Sequence, residues 1–79
     1  MKVGDYVTIS GGSRAIILAV SKHKILLLRL GKSHNTFIVG HDPIVHLGEL
    51  QWSMGLYFDC YQVDEGRMLE KAVRIYNNI

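Results

Sequence analysis

Seventy-nine residues, 48% of them hydrophobic and 20% charged, make a single domain spanning 1–79 and exclude a disordered chain. A domain this short buries a modest share of its surface and keeps a thin stability margin. The net charge of +2 is unevenly placed: residues 1–34 carry six Lys/Arg against Asp5 alone, whereas residues 35–79 carry three against six acidic residues.

Residues 5–10 (DYVTIS) alternate and are rich in β-branched side chains, which predicts a strand. The SGGS that follows predicts a hairpin turn, with Gly11 and Gly12 free to adopt positive φ. Residues 14–21 (RAIILAVS) predict a second strand, whose nearly continuous apolar run implies burial on both faces. A turn at SKHK leads to a third strand over residues 24–30 (KILLLRL). Leucine also permits helix, but seven residues between turns is strand length. After the polar turn GKSHN, residues 36–40 (TFIVG) predict a fourth short strand, which completes an antiparallel meander. Pro43, Gly48 and Gly55 punctuate the next stretch, which reads as a loop with short strands near residues 49–52 and 56–58. The C-terminal segment predicts a helix. Asp64 is a plausible N-cap, and Asp59 with Gln62 is an earlier alternative. Met68, Leu69, Ala72, Val73 and Tyr76 form its apolar stripe, and Glu70 and Arg74 stand at i,i+4 on the other side. The expected fold class is α+β: a small curved antiparallel sheet of four to five strands with one C-terminal amphipathic helix packed on it.

Catalysis and metal binding find little footing. His41, Asp42, His46 and Glu49 lie within nine residues and are all zinc-ligand types, but the H-x4-H spacing and Pro43 do not fit a helical metal motif, and a second cysteine is missing. Cys60 would need a stabilised thiolate to act as a nucleophile, and nothing in its surroundings supplies one. The SGGS stretch lacks the G-x-x-x-x-G-K-[ST] pattern and a following helix, so it is not a phosphate loop. The expectation is no enzyme, no cofactor and no metal. A lone cysteine and the absence of a long apolar run near the start point to a cytoplasmic location, and the longest apolar runs are far short of the roughly 20 residues of a membrane helix.

Two features suggest a surface that binds. The basic first half offers Arg14, Lys22, Lys24, Arg29 and Lys32 to phosphates or to an acidic protein. Strand-based nucleic-acid modules interleave such residues with stacking aromatics, and these strands carry only Tyr6 and Phe37. The segment QWSMGLYFDCY concentrates aromatics before the helix. Phe58 is assigned to the core, and Trp52, Tyr57 and Tyr61 are candidate partner contacts.

The stretch GDYVTISGGSRAIILAVSKHKILLL resembles the opening hairpin of an SH3-like, partly closed barrel of the KOW type. That resemblance implies binding of RNA or protein, although Ala15 and Ile16 follow Arg14 where a glycine is usual. The stretch WSMGLYFDCYQVDEGRMLEKAVRIYNN is similar to a pattern in small phage- and plasmid-encoded proteins, anti-CRISPR inhibitors among them. That resemblance implies a small non-enzymatic inhibitor or modulator, encoded by a phage or other mobile element, that acts sterically on a host protein or nucleoprotein complex. The alternative is an SH3/KOW-like module that binds RNA or DNA directly through its basic half. A homodimer formed through an exposed strand edge is a third expectation.

Overall fold

The computed structural model describes residues 1–9, 12–30, 36–46, 49–51, 54–59 and 65–79, with only the backbone described for residues 46, 54–59, 65 and 66. Seven strands precede one helix: β1 (Tyr6–Ile9), β2 (Arg14–Val20), β3 (Lys24–Arg29), β4 (Thr36–His41), β5 (Ile44–His46), β6 (Glu49–Gln51), β7 (Met54–Asp59) and α1 (Glu65–Asn78). They form one sheet in the order β5-β6-β1-β2-β3-β4-β7. The expected α+β class holds, and so does the β1–β4 meander. The expected four to five strands become seven, and the sheet is not wholly antiparallel, because β1 pairs in parallel with β6. The stretch expected as loop after His41 is in part a β5–β6 hairpin. At three residues each, these strands are too short to display an alternating pattern.

Turn chemistry sets the meander. Gly12 has φ of 88°, a conformation that costs glycine little. Its amide donates to the Ile9 carbonyl, and the Ile9 amide donates to the Ser13 carbonyl, closing the first hairpin. Gly11 lies outside the described residues. The second hairpin turns at Lys22 and His23, where the Ser21 amide donates to the Lys24 carbonyl at 2.9 Å. Asp42 then turns the chain out of β4. Its φ is 49°, its amide donates to the His23 carbonyl at 2.6 Å, and its carboxylate lies 3.5 Å from the exposed His23 imidazole.

Both faces of the central strands are buried, as the apolar runs of β2 and β3 imply, but by different means. On one face Ile9, Ala15, Ile17, Ile25, Leu27, Ile38 and Leu50 form a core. These residues come from β1, β2, β3, β4 and β6, and α1 lies on the other side. The sheet therefore covers this face by curling onto itself, as a half-barrel. It remains open: among the described residues no ladder joins β5 to β7. On the other face Leu26, Phe37, Val39, Ala72 and Tyr76 form a second core beneath the helix, with Met68 and Ile75 packed against it. We call these the inner and outer faces.

A bulge in β2 reconciles the two. Ile17 pairs with Leu27 and Ala19 with Leu26, leaving Leu18 as an extra residue. Before the bulge, Ala15 and Ile17 belong to the inner core; after it, Val20 packs there. Leu18 and Ala19 both pack against the outer core. One inserted residue thus adds a second side chain beneath the helix and increases the local twist, which suits a curled sheet.

The helix begins at Glu65, in agreement with the later of the two expected starts, while Asp59 closes β7. Asp64 and Gln62 lie outside the described residues. The buried stripe is rotated from the expected one. Ala72 and Tyr76 are buried, with Met68 and Ile75 partly so, whereas Leu69 and Val73 are 38% and 37% exposed. At 100° per residue, Met68, Ala72, Ile75 and Tyr76 occupy one quadrant and Leu69 and Val73 begin its flank. Glu70 and Arg74 do not form an ion pair. Over those residues no helix is long and apolar enough to cross a membrane.

Candidate binding surface

The helix lies over β4, β3 and β7. Among the described residues, it leaves the outer face of β1 and of the start of β2 without a covering element. Alternation along β1 turns Val7 and Ile9 to the inner core and Tyr6 and Thr8 to this open face. The register places Tyr6 opposite Ile16 and Thr8 opposite Arg14. Tyr6 is 59% exposed. The Arg14 guanidinium stands over its ring, 5.5 Å from the centroid, a cation–π arrangement that holds both side chains in place. A groove of about 210 Å³, lined by Tyr6, Val7, Thr8, Arg14, Val45 and Leu50, borders this face. Val45, on the edge strand β5, is 64% exposed, but its register opposite Leu50 turns its side chain to the inner face.

The five basic residues expected to act together are not gathered on one surface. Arg14 begins β2 on the outer face. Arg29 ends β3 at the same end of the sheet, exposed, but its register opposite Ala15 and Thr36 puts it on the inner face. Lys22 is exposed in the β2–β3 turn, eight residues along the chain from Arg14, or roughly 25 Å at strand rise. Lys24 is half-buried and is engaged within the chain. Its ammonium donates to the Tyr76 carbonyl and, at 3.1 Å, to the Ile79 carbonyl, and it lies 4.7 Å from the centroid of the Tyr76 ring. A cation at the negative end of the helix dipole that also supplies the last carbonyls with a donor is a capping device. Lys24 ties the end of α1 to the sheet, a role that its position in sequence does not reveal. Lys32 lies outside the described residues.

Of the aromatic candidates, Trp52 and Tyr61 also lie outside the described residues, as does Cys60. Tyr57 stands in β7 opposite Ile38, and Phe58 stands opposite Phe37; only their backbone is described. For the possible metal ligands, the register pairs His46 with Glu49 across the β5–β6 hairpin, while His41 ends β4. No group of three or more His, Cys, Asp or Glu residues placed to hold a metal occurs among the described residues.

Tyr6 is the residue of this surface that sequence reasoning did not select as a partner contact. The alternation of DYVTIS was signal enough to place Tyr6 opposite the core-facing Val7 and Ile9. The chain matches no family model, no curated protein and no solved structure, so this surface is the basis for reading its function.

Proposed function

We propose that this chain is a small non-enzymatic binding protein that acts sterically, by laying the outer face of β1 and the start of β2 against a larger protein. The observation that carries the reading is the Tyr6–Arg14 surface, which stands outside both cores with the guanidinium already over the ring. Tyrosine and arginine supply much of the energy of protein interfaces, and a pair that is ordered beforehand loses less entropy on binding. The resemblance of the C-terminal half to phage- and plasmid-encoded proteins suggests the setting: an inhibitor or modulator of a host protein or nucleoprotein complex.

The alternative, direct binding of RNA or DNA, draws on the basic first half. The described basic residues are divided between two ends and two faces of the sheet, and Lys24 is occupied by the helix. That scatter favours a protein partner, because a nucleic-acid backbone needs cations along one track.

Selection of displayed random 12-residue peptides on the immobilised protein tests the reading. Peptides that use this face should lose about tenfold in affinity on Tyr6→Ser, as interface anchors do. Tyr6 is exposed, so the variant should keep the wild-type circular dichroism and melting temperature. If the selected peptides bind the variant as well as they bind wild type, the face is not the binding site.

A further inference from the structure

We infer that the Tyr6–Arg14 groove recognises a single carboxylate, the side chain of one aspartate or glutamate in an extended segment of the partner protein. The inference deepens the proposed binding role and rests on it.

The Arg14 guanidinium stands over the Tyr6 ring, 5.5 Å from its centroid, a contact that leaves its N–H donors for other partners. Among the described residues no side chain accepts a hydrogen bond from them, and no carboxylate pairs with Arg14. A planar fork of donors held on a ring matches the two oxygens of a carboxylate. The groove, at about 210 Å³, is below the roughly 300–1,000 Å³ of a small-molecule site. It is suited to one or two side chains.

Two observations favour a carboxylate over the phosphates of a nucleic acid, which a guanidinium would also bind. Arg29 has the opposite facing and Lys22 is at the far end of β2, so neither joins Arg14 in a track of cations. In addition, Glu49 stands opposite Thr8 on β6, in the same cross-strand row as Arg14. It lies two strands from Arg14, about 10 Å at sheet spacing, and would repel a second anion. A run of phosphates or an acidic tract meets this charge; a lone acidic residue does not.

The displayed random peptides serve as the probe, with a ten-residue oligothymidylate as the second. Peptides that depend on Tyr6 should be enriched in aspartate or glutamate. Replacing that acid by its amide, or Arg14 by Gln, should each weaken binding about three- to tenfold, the range of a partly exposed charged pair. The two changes together should cost little more than either alone, and Arg14→Lys should retain part of the affinity. Tyr6-dependent peptides without acidic residues would overturn this inference and leave the binding face intact. An absence of Tyr6-dependent peptides would overturn the binding face and this inference with it. Binding of the oligothymidylate that weakens with Arg14→Gln, without acidic peptides, would replace the carboxylate by a nucleic acid.

Discussion

Lys24→Met should destabilise the protein by about 1.5–2.5 kcal/mol. Methionine keeps most of the aliphatic stem and removes the charge, so the loss isolates what the ammonium does at the end of α1. That group donates to the carbonyls of Tyr76 and Ile79 and lies over the Tyr76 ring. Hydrogen bonds to a charged group contribute about 1.5–3 kcal/mol when shielded from water, and a cation–π contact about 0.5–1 kcal/mol at an exposed site. Lys24 is half-buried, which places the total near the low end and below a simple sum. Unfolding entropy scales at about 2.1 cal/mol/K per residue. For 79 residues this converts the loss to a fall in Tm of about 9–15 °C. Urea unfolding followed by circular dichroism is the assay, with Lys22→Met in the neighbouring turn as the control that should change stability by less than about 0.5 kcal/mol. Hydrogen exchange should report faster opening of the last turn of α1 in Lys24→Met than in the control. Equal costs for the two substitutions, or a loss below about 0.5 kcal/mol for Lys24→Met, would show that the latch contributes nothing beyond solvation.

Three further outcomes follow from the packing. Leu27 is fully buried in the inner core, so Leu27→Ala should cost about 2–5 kcal/mol. That is a large part of the roughly 4–12 kcal/mol available to a domain of this size, and the variant's denaturation midpoint should fall steeply; a loss under about 1 kcal/mol would mean that the curled face is not a packed core. Gly12→Ala should cost about 1 kcal/mol or more in the same assay through its φ of 88° alone, since a Cβ there would meet nothing within 4 Å, and Gly12→Asn should cost less. The rotated helix stripe predicts that Ala72→Leu, at a fully buried position, costs about 1–3 kcal/mol by overpacking. Val73→Ser, on the exposed flank, should cost less than Ala72→Leu; the reverse order in thermal unfolding would restore the stripe expected from sequence.

The sequence by itself determined the elements whose signals are local. Alternation in DYVTIS, the glycine of the first turn and the apolar runs of β2 and β3 depend on a few neighbouring residues, and the meander and the helix follow from them. Tertiary structure decided the rest. The parallel β1–β6 pair joins segments some 40 residues apart, and no local pattern encodes that pairing. The bulge at Leu18 changes which face each later residue of β2 occupies, so a plain period of two misassigns Ala19 and Val20. Periodicity gave a stripe on α1 that includes Leu69 and Val73, and packing against the sheet rotated the buried one to include Ile75. The basic half shows the difference most clearly. Its +5 charge is a property of the chain, but whether cations act together depends on where strands run and which way side chains alternate. The fold sends Arg14 and Arg29 to opposite faces and Lys22 to the far end of the sheet, and it places Lys24 against the helix terminus. On the outer face of β1 and β2 this leaves Arg14 over Tyr6, a surface that stays open because the helix covers β3, β4 and β7 and stops short of β1.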